Sequence, residues 1–461
     1  MTSLSQQPLS PLDGRYQKVV GELGAFLSEA GLNRARIQVE IDWIIFLVNQ
    51  DLLGLKKSVS KSEISQLQQA VSNFGDTSVK ELAETEAVTK HDMKAVEYFV
   101  RDRLKDIGRG DLVELTHFGC TSEDINNLSY AITIRDAVTA VWLPKAKELI
   151  STLTEMVEKS ADAPMLSRTH GQPATPTTMG KEMAVFVHRL NRQIKRIEQA
   201  EYLGKFSGAS GTFSAQLIAA PEVDWLDVSE KFVTSLGLTW NPLTTQIESH
   251  DWQSELFSAI VHFNRILHNL CTDIWAYISI NYFKQIPAPG ATGSSTMPHK
   301  VNPIRFENAE SNLELSNAVL ESLAATLVTS RMQRDLTDSS SQRNIGVGFG
   351  HSLLALDNVI RGLGELELSN AVLASDLLDN WEVLAEAIQT VIRAEVAAGR
   401  SKIDNPYELL KELTRGKRLS GEALKEFVSG LAISEDAKNR LISLTPGGYI
   451  GLASELAKRV I

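Results

Sequence analysis

Residues 250–283 read HDWQSELFSAIVHFNRILHNLCTDIWAYISINYF. Trp252, Leu256, Ile260, Phe263, Leu267, Leu270, Ile274 and Ile278 recur three or four places apart, the spacing that aligns side chains on one face of an α-helix. The spacing predicts a helix over 250–283, about 50 Å long at 1.5 Å per residue. A rod of that length needs other rods beside it. Phe257, Ile266 and Trp275 flank the seam, so more than one face needs covering, and a homo-oligomer that supplies part of the cover is expected.

Most of the chain follows the same pattern and lacks the period-2 alternation of strands, which predicts an all-α fold. Glycine-bearing breaks at Gly108-Arg109-Gly110 and Arg361-Gly362-Leu363-Gly364 divide it into three helical domains: 1–110, a central long-helix bundle over 111–364, and 365–461. Two stretches are set apart as exceptions to helix: KFSGASGTFSA (205–215) and IPAPGATGSSTMPHKVNP (286–303). The second holds four prolines and two glycines. Asn302 then suits an N-cap and Pro303 the first helical position.

Composition narrows the function. The 461 residues leave room for a large core, and a net charge of −11 argues against a broad nucleic-acid surface while allowing one local phosphate site. Cys120 and Cys271 are too few for a disulfide framework or a thiolate metal site, which fits a reducing cytoplasm. The apolar run at Trp43–Val48 is far short of the roughly 20 residues that span a bilayer, and no secretory pattern opens the chain. A cytoplasmic protein with no membrane partner is expected. HDMK, THF and RTHG lack the paired spacing of zinc motifs, and there is no GxxxxGKS phosphate loop, so neither metal nor cofactor is expected.

The 286–303 loop puts Ser294, Ser295, His299 and Lys300 on a segment whose Pro and Gly content suits a lid; composition alone equally allows a polar connector. Its core, GSSTMPHKVNP (293–303), resembles the signature loop of the fumarase/aspartase superfamily. His299 between Pro298 and Lys300 is similar to the branch acting on succinylated purine nucleotides and to the carboxymuconate cycloisomerases; fumarases and aspartases carry Gly there and argininosuccinate lyases Gln. SPLDGRY (10–16), KHDMKAVEYF (90–99), CTSEDINN (120–127), SRTHGQPATPTTMGKEMA (167–184), TTQIE (244–248), SRMQRDLTDSSSQRN (330–344), NWEVLAEAIQTV (380–391) and NPYELLKELTRGKR (405–418) resemble the longer bacterial form of the nucleotide branch from end to end.

The resemblance implies three helical domains, four subunits pooling their long helices with shared active sites, and no cofactor. It implies a β-elimination that releases fumarate from two succinylated nucleotides, giving AMP and an aminoimidazole carboxamide ribotide. Such a reaction needs a base for a carbon-bound proton, donors for the carboxylate that gathers charge, and an acid for the departing nitrogen. By position Ser294 matches the base and His170 the acid. Ser295 matches a substrate contact, or else a turn serine bonded to backbone. His91, Asp92 and His117 match nucleotide-binding or orienting positions.

Thr121 and Ser122 match a succinyl carboxylate site shared with Lys300 and Asn302, or else a plain helix cap; Asn308 falls in the same substrate set. Arg15, Tyr16, Ser339 and Arg343 match the 5'-phosphate site, with Arg334 and Gln246 nearby, and the guanidinium fork suits phosphate oxygens. Lys90 and Ser214 depart from family residues. His188, His262 and His268 lie in helical patterns outside the motifs. Two rivals remain: a muconate-type cycloisomerase, against which the phosphate set speaks, and a binding protein built on a retired lyase, against which intact Ser294, His170 and Lys300 speak.

Overall fold

The structure, a computed structural model, describes residues 8–286, 297, 300–414 and 419–461. Ser294, Ser295 and His299 lie outside them. Eight helices carry the argument: α1 (Glu29–Asn49), α2 (Asp92–Asp106), α3 (Ser122–Ala137), α4 (Leu143–Ser160), α5 (Met179–Glu198), α6 (Asp251–Ser279), α7 (Ile304–Leu327) and α8 (Ile345–Gly364). The all-α expectation holds, with six short strands beside the helices among the described residues: β1 (Pro164–Thr169), β2 (Gln172–Thr178), β3 (Leu203–Gly204), β4 (Thr239–Trp240), β5 (Phe283–Gln285) and β6 (Leu366–Leu368). No helix among the described residues is long and apolar enough to cross a membrane.

The chain forms two compact units, one from 1–146, 193–265 and 309–357, the other from 147–192, 266–308 and 358–461. The division falls within α4, α5, α6, α7 and α8, so each of these helices contributes to both units.

Helix α6 is the seam read from the sequence, but it stops four residues short of 283. Asn281 takes a left-handed backbone (φ 61°), and the N–H groups of Asn281 and Tyr282 return to the carbonyls of Ile278 and Tyr277 at 3.0 and 2.9 Å. Asn tolerates that conformation and closes the helix, much as Gly does. At α7 the expected Asn302 cap is displaced by one residue: the helix begins at Ile304, and the Pro303 carbonyl accepts from Glu307. Gly362 does not break α8. A Cβ there would lie 2.8 Å from Cζ of Phe306, so this glycine permits close packing, and the helix ends at Gly364.

In the first unit the aromatic cluster of Trp43, Phe206 and Phe232 packs under α1. A buried polar chain sets the register of the long helices. The Trp142 indole donates to the Ser352 hydroxyl at 2.9 Å, Ser352 donates to Asn264 Oδ1 at 2.9 Å, and Asn264 Nδ2 donates to Ser316 and Asn317 at 3.0 and 3.1 Å. Ser316 continues to the Gly348 carbonyl at 2.8 Å. Apolar seams alone allow sliding, whereas a satisfied polar network is lost if a helix shifts by one turn.

In the second unit, β1 and β2 form an antiparallel hairpin and β5 pairs with β6. The tail closes around Leu384, Ile388, Ile392, Leu424, Val428 and Leu441. The hairpin was not anticipated. PMLSRT and QPATPTT carry two prolines after the turn and little alternation, which masks a strand signal.

Asn264→Ala should destabilise the protein by about 1–3 kcal/mol for each group left without a partner. Denaturant unfolding would show this as a lower midpoint; an unchanged midpoint would mean the network does not hold the helices in register.

Candidate active site

The sequence segments singled out for nucleotide binding meet in the first unit along one line of charges. Arg343 is bonded at all three guanidinium nitrogens: Nη1 to the Ser339 carbonyl and hydroxyl at 2.8 and 3.1 Å, Nη2 to Asp92 Oδ2 at 3.2 Å, and Nε to Glu29 Oε2 at 3.2 Å. Asp92 Oδ2 also faces Arg36 at 3.1 Å. Arg36 in turn donates to Asn126 at 2.9 Å, Asn126 to Glu123 at 2.7 Å, and Glu123 pairs with Arg334 at 2.8 Å. Arg334 donates to Gln246 at 3.3 Å, and Gln246 to the Ala209 carbonyl at 2.8 Å. Asp92, Gln246, Arg334, Ser339 and Arg343 are therefore brought together.

The electrostatics follow. Burial tends to raise the Asp92 pKa, but Arg36, the Met93 N–H and Arg343 outweigh it, so the carboxyl sits below its usual range. Burial works against the charge on Arg343, yet Glu29, Tyr130 and Asp92 raise its pKa.

The succinyl candidates Thr121 and Ser122 are half-buried at the start of α3. Their placement depends on Asp124, which has no exposed side-chain surface. Its carboxylate accepts from the Thr121 N–H at 2.8 Å, from Ser207 and Gly208 N–H groups at 2.8 and 3.1 Å, and pairs with the equally buried Lys205 ammonium at 2.8 Å. Asn127 adds two bonds to the Lys205 backbone, at 2.9 and 2.8 Å. The Gly/Ser-rich 205–213 loop is thus pinned to the start of α3. Gly211 (φ 75°) lies where a Cβ would come within 2.2 Å of the Thr244 carbonyl oxygen, so no side chain fits.

His117 has a left-handed backbone (φ 61°), and its Nδ1 lies 2.6 Å from Glu40 Oε1, with its N–H on Oε2 at 2.9 Å. Burial lowers the His117 pKa, but the hydrogen bond and charge of Glu40, joined by Glu97 and Asp124, win, and the net shift is upward. His91 is exposed and caps α2, its Nδ1 accepting from Lys94 N–H at 3.3 Å. Lys90 takes the left-handed position that closes the preceding helix (φ 56°). Arg15 is exposed and stacks over the Tyr16 ring at 5.8 Å.

In the second unit His170 is exposed in the two-residue turn between β1 and β2, where His170 and Gly171 both have positive φ (53° and 75°). That is the tight hairpin geometry, and it lifts the imidazole clear of the strands. Two residues earlier, Arg168 is held by Asp376 at 2.6 Å, and Tyr282 donates to the same carboxylate oxygen. Lys300 is exposed, and Asn302 and Asn308 are half-buried; the Asn358 side chain donates to Asn308 at 3.0 Å.

Arg36, Glu29, Glu40 and Lys205 were missed from the sequence, and Asp124 was read only as a helix cap, which it is, in a capping box with Thr121. The signal was available in α1, where Arg36 and Glu40 stand four apart among Leu32, Val39 and Trp43: opposite charges on a buried helix face must be satisfied by something.

The fold and the family match define a lyase of the fumarase/aspartase class. A family model described as Lyase matches residues 14–317, and one described as Adenylosuccinate lyase C-terminal matches 330–450. The chain belongs to the adenylosuccinate lyase family. It is 48% identical to adenylosuccinate lyase of Escherichia coli K12, covering 96% of both chains, and 48% identical to that of Haemophilus influenzae, covering 98% of both. Among solved structures, a 3-carboxy-cis,cis-muconate lactonizing enzyme from Pseudomonas putida superposes with TM-score 0.74 at 22% identity, over 98% of both chains. A fumarate lyase from Mesorhizobium reaches 0.75 at 17%, over 96% of this chain and 97% of that one. At these identities the likeness is one of fold.

Asp124→Asn leaves the buried Lys205 charge uncompensated and should cost about 3–5 kcal/mol of stability, whereas Asp124→Asn with Lys205→Met, which removes the orphaned charge and keeps an amide oxygen as acceptor for the backbone N–H groups, should recover much of it. Equal losses in the two proteins, measured by denaturant unfolding, would refute the role given to the pair. For His117 the folded state holds its proton more tightly than the unfolded state, so this stabilisation is complete below 6.5 and fades as pH rises through the higher folded value. Glu40→Gln should lower the His117 titration midpoint, read by NMR on ring-labelled histidine; an unmoved midpoint would show that Glu40 does not set it.

Proposed function

We propose that this lyase removes fumarate from adenylosuccinate, giving AMP, and from succinyl-aminoimidazole carboxamide ribotide, giving the free carboxamide ribotide. The observation that carries the reading is the Arg343–Ser339 fork beside Asp92: a planar cation next to a hydroxyl suits a phosphate monoester, which muconate-type substrates lack. The 48% identity to adenylosuccinate lyases over nearly the whole chain supports it.

In this reading Ser294 takes the proton from the succinyl Cβ, electrons move to form the carbon–carbon double bond, the C–N bond breaks, and His170 protonates the departing nitrogen. Serine is too weak an acid to serve unaided, so its alkoxide needs loop amides and the Lys300 charge. The exposed turn at His170 suits an acid that must reach a substrate. Thr121, Ser122, Lys300, Asn302 and Asn308, with Ser295, form the succinyl side; Arg15, Tyr16, His91, His117, Gln246 and Arg334 form the nucleotide side with Arg343.

The protein acts as a homotetramer with shared sites. Long helices with exposed apolar residues support this: Val185 on α5, Trp275 on α6 and Leu315 on α7 are 40%, 45% and 52% exposed, and such surface calls for cover.

Purified protein given adenylosuccinate, with no metal added, should release fumarate and AMP in equal amounts; folded protein that releases none would overturn the reading. Ser294→Ala should lower turnover by about 10²-fold or more. His170→Ala and Ser294→Ala proteins, each nearly inactive, should regain activity when subunits exchange. Exchange confirmed by mass without regained activity would place acid and base on one chain.

A further inference from the structure

The cation assigned to the phosphate already has carboxylate partners. Of the three side chains on Arg343, Asp92 is anchored elsewhere, by the buried Arg36 guanidinium at 3.1 Å and by the Met93 N–H at 2.8 Å. Ser339 lies one helical turn before Arg343 and is held by chain geometry. Glu29 differs. It stands at the first position of α1, its side chain is 52% exposed, and beyond Arg343 its one other charged partner among the described residues is Arg36, at 4.0 Å. Water can therefore take over its carboxylate at little cost, as for any half-exposed ion pair.

A second observation marks the same place. Tyr130, on α3, is 7% exposed, and its hydroxyl has no hydrogen-bond partner. Burial pushes its pKa up to about 12, so it stays a donor. A buried donor without an acceptor is costly and uncommon in folded proteins. Tyr130, Glu29 and Arg343 line one small pocket of 20 Å³, and Glu29 and Arg343 also border a cavity of 260 Å³, lined with Ser10, Leu12, Asp13 and Ser28, that Tyr130 does not line.

We propose that Glu29 is a displaceable counter-ion: it holds the Arg343 fork and yields it to a phosphate monoester, whose oxygens also accept from the Tyr130 hydroxyl. The proposal rests on the reading of Arg343 as phosphate anchor. Its consequence is selectivity. A ligand must outcompete a resident carboxylate, so a dianionic phosphate gains the fork where a singly charged or neutral group does not, and apparent affinity is reduced by the fraction of protein in which Glu29 is paired.

The test uses inorganic phosphate as competitive inhibitor of fumarate release, with wild type, Glu29→Gln, Tyr130→Phe and Arg343→Ala compared. Glu29→Gln should lower the phosphate inhibition constant by about threefold or more, since an exposed pair is worth that much. Tyr130→Phe should raise the constant by about fivefold, one hydrogen bond's worth, and Arg343→Ala should raise it further. If Arg343→Ala weakens phosphate while Glu29→Gln leaves its constant unchanged or raises it, Glu29 is no counter-ion and the proposal fails alone. If Arg343→Ala has no effect on phosphate, the anchor reading fails and takes the proposal with it.

Discussion

A carboxylate with no access to water, that of Asp124, organises the first unit. Buried charge is tolerated only when it is fully bonded, and Asp124 meets that demand by gathering the Lys205 ammonium and three backbone N–H groups from two distant stretches of chain. The start of α3 and the 205–213 loop are fixed together by this carboxylate, with Asn127 adding its two bonds to the Lys205 backbone. Thr121 and Ser122 inherit their positions from it, and Gly208 and Gly211 provide the left-handed backbone (φ 79° and 75°) that lets the loop turn back.

The same logic extends outward. In an acidic chain, with net charge −11, Arg36, Arg334 and Arg343 concentrate cations within one network, the local positive charge that the proposed phosphate site needs. Each cation carries an acidic partner: Asp92, Glu123, Glu29. Such pairing keeps a cluster of positive charge stable. Under the proposed exchange, the site's affinity is a difference between the ligand and the resident carboxylates.

How much of this was legible varies by element. The α6 seam and the all-α fold followed from spacing alone, because burial of one helix face leaves a period that survives in the residues. Helix ends were less legible: Asn281 closes α6 through a left-handed conformation, and little in its neighbours distinguishes it from a helical Asn. The hairpin carrying His170 was missed because its second strand holds Pro173 and Pro176. On the candidate site, motif positions led to Asp92, Gln246, Arg334, Ser339 and Arg343, which the fold brings together. Arg36 and Glu29 come from a stretch outside every motif, and their part depends on contacts to residues dozens to hundreds of positions away, which local pattern does not encode. Ser294 and Ser295 lie outside the described residues, and their roles rest on resemblance.

The central claim is that the Arg343 network is where the nucleotide's phosphate sits. A crystal structure of the protein with AMP bound tests it most directly. The account predicts phosphate oxygens within hydrogen-bonding distance of the Arg343 guanidinium and the Ser339 hydroxyl, with Asp92 still on Arg36. Phosphate density at another place, with Arg343 still paired to its carboxylates, would contradict it.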